Sequence, residues 1–355
     1  MKKVVRTVAL SVCSAGILAG LLFAPQAVLE ALRSGIGTCA TVLIPSLFPF
    51  LVLSAFLINA DVGGALAELF HKKSGGGLWF HVLVSVLGGY PVAARSFSGL
   101  SADGRVSRRS AVRLTCALTS AGPAFVLTAV GVGMRGSWQI GAVLLVTQWC
   151  AAATLGLVAL RRNRAEPVSA APAAPMPIAQ ALVSAVRSSA LAMGVICAYV
   201  LVFAAIAALL EQAGLFRLIN SLFPQAGGLI EAAVRGLLEI TTGCVAAANV
   251  PGTASVILTA FLLGFGGLCV WAQVLTLSGG ELKGYFLWRL AYGLLAACLT
   301  ALALLFFPQT AVEAFAPAAA QAPVVTFRAA GGSALLVLLC VLLCVGRPAS
   351  KGGGK

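Results

Sequence analysis

Two charged residues stand where an apolar chain should not hold them. Glu239, in "LLEITTGC", and Arg289, in "LWRLAYG", each lie inside a run long enough to be held in a bilayer. An ionised group at membrane depth is costly unless it is paired, hydrated or used, so Glu239 is a functional candidate and Arg289 its possible partner. Two readings stay open. Glu239 and Arg289 form a buried pair that ties helices together, or Glu239 lines a cavity or carries a proton. In the second case Thr241, Thr242 and Gly243 supply hydroxyls and freed backbone donors. Glu231 and Arg235 read as interfacial residues whose charged heads snorkel to water.

The second chemical signal is irregular backbone. Lipid cannot satisfy free N–H and C=O groups, so helix breaks at membrane depth belong inside protein or beside a water-filled cavity. Four stretches qualify: "LIPSLFPFLV" (43–52), "LGGYPVAAR" (87–95), "LTSAGPAFVL" (118–127) and "LLGFGGLCVWAQ" (262–273). Pro45 and Pro49 each remove a helix hydrogen bond. The other three combine glycine with proline or with more glycine. Breaks spread over both halves of a chain point to a substrate pathway. Helix N-termini at such breaks offer partial positive charge and exposed N–H groups to an anion. Arg95 adds a full cation at the mouth, and Gln148, Trp271 and Gln273 are polar or amphipathic groups within spans.

These groups need a scaffold, and composition says which. Of 355 residues, 60% are hydrophobic and 10% charged, with a mean hydropathy of +1.02. That excludes an ordinary soluble domain. Helices fit, because each satisfies its own backbone, and no period-2 alternation of a β-barrel is present. The net charge of +14 sits in short connections, as the positive-inside rule expects, rather than in a nucleic-acid-binding stripe. The ten cysteines form no C-x-x-C pair, and His71 and His81 are isolated, so no metal site is expected.

Apolar runs predict spans near 7–24, 38–59, 114–134, 137–160, 189–211, 252–277, 284–307 and 330–346. The first reads as uncleaved, with cleavage after Ala24 or Ala27 the alternative. Segments 78–94 and 229–249 fit the cation pattern only as re-entrant dips, the second from the side opposite the first. The result is an all-α polytopic membrane protein of about eight spans plus two re-entrant segments in an inverted repeat. Both termini are expected in the cytoplasm. The units are 1–34 (N-terminal span and connector), 35–160 (first repeat), 161–178 (Pro/Ala-rich cytoplasmic linker), 179–307 (second repeat) and 308–355 (C-terminal span and basic tail). No nucleotide loop, hydrolase constellation or cofactor motif emerges, and an enzyme is not expected.

At these residues the sequence resembles the sporulation integral membrane proteins of the YlbJ type, which carry a nucleoside-recognition (Gate) domain. The matching stretches are "VLIPSLFPFLVLS", "GGYPVAAR", "SAGPAFVLTAVGVG", "LLEITTG" and "LLGFGGLCVWAQV", spanning about residues 35–305. Ala93 and Arg95 replace the glycine and lysine usual in the family's Gly-Tyr-Pro motif. Thr119 and Ser120 stand where polar amides are common. The resemblance implies a fold similar to concentrative nucleoside transporters. It also implies a role in endospore formation, moving dipicolinic acid across the outer forespore membrane.

The expected function is transport of a small anionic solute, with a coupling ion or proton. The alternative is a non-transporting scaffold or assembly partner for the spore cortex or envelope. The expected binding residues are Gly89, Tyr90, Pro91 and Arg95 of the first dip and Ser120, Gly122 and Pro123 of the first broken span. Glu239, Thr241 and Thr242 come from the second dip, and Gly266 and Gln273 from the second broken span. The expected surroundings are the lipid bilayer, with oligomerisation open and no nucleic acid bound.

Overall fold

The computed structural model describes residues 22–62, 76–162, 176–280 and 282–306, together with Gly16, Leu18 and Gly20. Every regular element among them is helical. Five helices or helix pairs are long and apolar enough to cross a membrane by length and composition: Pro25–Asn59, Trp138–Arg161, Ile178–Gln212, Thr253–Ser278 and Tyr285–Phe306. The chain therefore has the make-up of a polytopic membrane protein. The terminal span expected at 330–346 lies outside the described residues, as does most of the one expected at 7–24.

The elements fall into two runs of similar order, the second with one additional short helix. The first half opens with α1 (Pro25–Thr38), which continues through a π-turn at Cys39–Leu43 into α2 (Ile44–Asn59). Next come α3 (Gly76–Gly88) and α4 (Tyr90–Ala102), a helix pair broken at Gly89. Then α5 (Arg108–Leu118) is separated from a π-helical stretch, Phe125–Met134, by irregular residues 119–122. The half ends on α6 (Trp138–Arg162). The second half opens with the long α7 (Ile178–Gln212), followed by the short amphipathic α8 (Leu215–Leu222). The pair α9 (Gly227–Leu238) and α10 (Ile240–Ala248) is broken at Glu239. The pair α11 (Thr253–Phe265) and α12 (Gly267–Ser278) is broken at Gly266, and α13 (Tyr285–Phe306) closes the half.

The opening helices pack against each other along their length, antiparallel. A Cβ on Gly35 would lie 2.9 Å from Leu201, while the Asn59 amide donates to the Ala181 carbonyl at 3.4 Å. Small residues at regular spacing on α7, Ala181, Ala185, Ser189 and Ala192, are buried and let the two backbones approach. The closing helices, α6 and α13, are antiparallel too. Thr147 and Thr300 share a hydrogen bond of 2.9 Å, and Tyr292 donates to the Gln148 carbonyl at 2.7 Å.

Contacts at the two ends sort the loops. One end gathers Asn59, Asp61, Arg105 and Arg95, the last donating to the Ser188 carbonyl at 3.1 Å. The other gathers Glu211, Arg235 and the Arg135–Ser255 contact at 2.9 Å. The α3–α4 hairpin therefore enters from the first end and the α9–α10 hairpin from the second. Two expectations change in detail. Residues 25–37, expected as a connector, belong to a helix of 35 residues. Residues 178–188 continue into the following span as another helix of 35 residues. At ~1.5 Å per residue each is roughly 52 Å long, well beyond a hydrocarbon core of ~30 Å.

Candidate functional site

The four helix breaks meet in the middle of the molecule. Gly89 has φ +86°, a backbone that L side chains avoid, and a Cβ there would stand 3.2 Å from the Gly122 nitrogen. The tip of the first hairpin thus rests on the break after α5. In the second half, Gly266 and Gly267 have φ +87° and +73°. A Cβ on Gly267 would lie 2.6 Å from the Gly236 carbonyl oxygen, so this break rests on α9 of the second hairpin. In each half a hairpin and a broken span approach closely at glycine, at the hairpin tip in the first and three residues before it in the second.

Glu239 breaks the second hairpin without glycine. Its backbone is extended (φ −142°, ψ 123°), which places it as the N-cap of α10. The two carboxylate oxygens accept from the backbone N–H groups of Thr241 and Thr242, each at 2.8 Å. The Thr242 hydroxyl donates back to the Glu239 carbonyl at 3.0 Å. A carboxylate suits this position because it satisfies two orphan donors and meets the positive end of the helix dipole. Glu239 is almost fully buried.

Arg289 does not pair with Glu239. Its guanidinium donates through Nε to the Phe265 carbonyl at 3.1 Å, through Nη2 to the Gly264 carbonyl and through Nη1 to the Thr119 carbonyl. It also lies over the Tyr292 ring, 4.7 Å from the centroid. Those carbonyls end α11 of the second half and α5 of the first. A buried arginine here answers the unpaired acceptors and negative ends of two broken helices together. The hydroxyl of Tyr90 adds a bond to the Leu263 carbonyl at 2.7 Å, so the first hairpin caps the second half's α11 as well. Of the two sequence readings, the buried ion pair is overturned. Arg289 answers backbone, and Glu239 is left to face a cavity.

That cavity is small, about 40 Å³, and both halves line it. Leu43 and Leu47 come from the first long helix, and Ile196 and Val200 from the second. Tyr90, Pro91, Glu239, Ile240 and Thr241 come from the hairpin tips, and Gly122, Phe125, Val270 and Gln273 from the broken spans. The first turns of α4, α10, α12 and the stretch after Gly122 therefore converge on it. Glu239, Gln273, Thr241 and Tyr90 are the polar members of an otherwise apolar lining, and its size admits a few waters.

Two wider cavities flank it. One, of about 550 Å³, runs between α1, α7 and the second hairpin from Glu211 and Arg235 down to Glu239 and Thr241. The other, of about 310 Å³, lies at the opposite end between α2 and the first hairpin, with His81, Arg95, Ser96, Asp61 and Arg105 in its wall. Leu51, which is fully buried, borders this second cavity, and Leu47, one turn earlier, borders the middle one.

Of the residues expected from sequence, Tyr90, Pro91, Gly122, Glu239, Thr241 and Gln273 line the middle cavity. Gly89 and Gly266 shape it through backbone, and Thr242 lines the adjoining cavity beneath Glu239. Ser120 is buried in the irregular link before Gly122, and Pro123 opens the helical stretch after it. Arg95 does not reach the middle; it lines cavities at the end nearest Asp61. Sequence reasoning missed Ile196 and Val200, which sit in an unbroken helix with nothing to mark them. It also missed Arg289 as a cap, although the arginine itself stood out.

No family model matches the chain. No solved structure matches it either. Over 314 residues the chain is 28% identical to the sporulation integral membrane protein YlbJ of Bacillus subtilis (strain 168), covering 77% of this chain and 76% of that protein. The similarity supports a YlbJ-type sporulation integral membrane protein.

Proposed function

We propose that this chain is a secondary transporter that moves a small anionic solute during endospore formation, with dipicolinic acid as the first solute to test. The observation that carries the reading is the row of three cavities. Wide cavities lie towards opposite ends of the antiparallel long helices, and the one at the Glu211 end shares Val200, Glu239 and Thr241 with a tight middle chamber lined by both halves. Midplane sites among broken helices, related by an inverted repeat, are the construction by which secondary transporters alternate access. In this reading the middle chamber opens in turn to one flanking cavity and then the other. Four helix N-termini supply donors for an anion. Glu239, holding two of those donors in the closed state, is the group that gates or couples to a proton or ion.

The end carrying Arg95, Arg105, Arg108, Arg109, Arg161 and Lys283 is the cytoplasmic one by the positive-inside rule, which puts both termini there. The membrane is the outer forespore membrane in this account, in keeping with the sporulation role named for the relative.

The test is uptake into proteoliposomes loaded with protein of defined fold. Dipicolinate is expected to accumulate above protein-free vesicles, and Glu239→Gln is expected to lower the rate at least tenfold with folded protein unchanged. Uptake of uridine but not of dipicolinate would overturn the anion assignment. The tightness of the middle chamber also favours a second reading, a scaffold or assembly partner for the cortex or envelope whose breaks stay packed shut. Absence of uptake for every solute, with normal folding, would select it.

A further inference from the structure

A separate pocket lies at the end of the molecule that carries Arg95 and Arg105. It has a volume of about 840 Å³ and is lined by Arg108, Arg109, Val112, Arg113, Lys283 and Trp288. The arginines come from the first two turns of α5, whose N-cap Ser107 accepts from the Ser110 N–H at 3.2 Å. Arg109 and Arg113 are one turn apart on one face, and Arg108 with Val112 occupies the adjoining face. Lys283 and Trp288 come from the other half of the chain, at the entry to α13. The Arg108 guanidinium packs on the backbone of Gly280, where a Cβ would collide with it. None of the described residues lining the pocket is acidic. Glu281, the acidic residue closest in sequence, lies outside the described residues.

Arg108, Arg109 and Lys283 bring three cations from the two halves of the chain to one pocket, a charge that an anion complements. What surrounds it selects the kind. Trp288 is half-buried against the core and presents its ring to the pocket, the habit of tryptophan at a membrane–water boundary. Directly beyond it, Leu287, Ala291, Leu294 and Cys298 form one exposed apolar stripe along α13, with Leu287 72% exposed. The pocket thus opens where a lipid-facing surface meets a cationic one. Basic pockets between membrane helices at this depth bind phosphate-bearing headgroups.

We infer that Arg108, Arg109 and Lys283, with Trp288, form a binding site for the headgroup of an anionic phospholipid whose acyl chains lie along α13. The inference stands apart from transport: it needs neither the middle cavity nor any substrate.

Native mass spectrometry of the full chain, extracted in mild detergent and mixed with dioleoyl-phosphatidylglycerol or dioleoyl-phosphatidylcholine, reads the site directly. The wild type is expected to retain the phosphatidylglycerol at least tenfold more than the phosphatidylcholine. The R108Q/R109Q/K283Q variant is expected to bring that ratio to within about twofold of unity. A control with the same loss of charge at exposed cations elsewhere, R33Q/R161Q/R187Q, is expected to keep the wild-type ratio. Equal retention of both lipids by wild type would overturn the site. So would a control that falls as far as the test variant, which would mean general attraction to a positive protein. Displacement of the lipid by millimolar inorganic phosphate would overturn the lipid assignment in favour of a soluble phosphate. Size-exclusion profiles establish folding. If the triple variant aggregates, R109Q and K283Q are read singly, and each is expected to lower the ratio at least threefold. An unchanged ratio in both would overturn the proposal.

Discussion

At the scale of single residues, the molecule turns on how two buried charges are used. Glu239 is held by backbone N–H groups and Arg289 by backbone carbonyls, so each charge is answered by helix ends rather than by the other. That arrangement predicts the behaviour of substitutions. Arg289→Met leaves the carbonyls of Thr119, Gly264 and Phe265 without a donor in a dry interior, at ~1–3 kcal/mol for each buried acceptor. Part of this is returned because a buried charge is removed. A net loss of about 3 kcal/mol corresponds to roughly 4 °C in the apparent melting temperature of a chain this size. Arg289→Lys is expected to fall between, since a single ammonium cannot span acceptors on two helices as a planar guanidinium does. The discriminating variant adds Glu239→Gln to Arg289→Met. Were the two residues an ion pair, neutralising the stranded carboxylate would restore stability. Here the double variant is expected to melt no higher than Arg289→Met alone, and a recovery of several degrees would contradict the assignment.

Among helices, the chain works by close approach at glycine. Gly243 on α10 sits against Gly236 on α9, and a Cβ on Gly243 would fall on the Gly236 backbone. Because backbone lies on both sides, no flexible side chain can yield, and Gly243→Ala must spread the second hairpin. Overpacking of this kind costs ~1–3 kcal/mol, enough to lower folded yield and melting temperature together. Gly194, within α7, has nothing within 4 Å of an added Cβ. Gly194→Ala is therefore expected to leave melting unchanged or raise it by up to ~1 kcal/mol worth of helix propensity. Equal stability of the two variants in thermal melts would refute the hairpin packing.

The same scale explains what the sequence made legible. The breaks at Gly89, Gly122–Pro123 and Gly266 could be read because glycine and proline announce them locally. Glu239 could be read because an isolated carboxylate in an apolar run is conspicuous. The long α1–α2 and α7 helices were harder. Glu30 and Arg33 lower the apolar signal of 25–37, and only contact with α7, through Gly35 and Leu201, reveals that the helix runs on. The partners of Arg289 were out of reach for a different reason. They are carbonyl groups, present at every residue, and only the fold decides which of them lack a donor.

For the whole molecule, the proposed inverted relation of the two halves rests on the direction in which their helices run. The opening helices are antiparallel, the closing helices are antiparallel, and the two broken hairpins enter from opposite ends. If the end with Arg95 and Arg105 faces the cytoplasm, the 310 Å³ cavity is reached from inside and the 550 Å³ cavity from outside. Ala55 lines the first and Ala208 the second, and both are half-buried on long helices that pack together. A cysteine at either position should be small enough to leave that packing intact. An impermeant thiol reagent applied to right-side-out vesicles is expected to label Ala208→Cys above the parent protein and to spare Ala55→Cys. Inside-out vesicles should reverse the pattern. Among the described native thiols, Cys39, Cys116, Cys244 and Cys269 are buried and Cys150, Cys197 and Cys298 lie on lipid-length apolar helices, so the parent's background should be low. Labelling of both positions from one side would mean that the two cavities do not open to opposite faces of the membrane. The inverted relation of the halves, and with it alternating access through the Glu239 chamber, would then fail together.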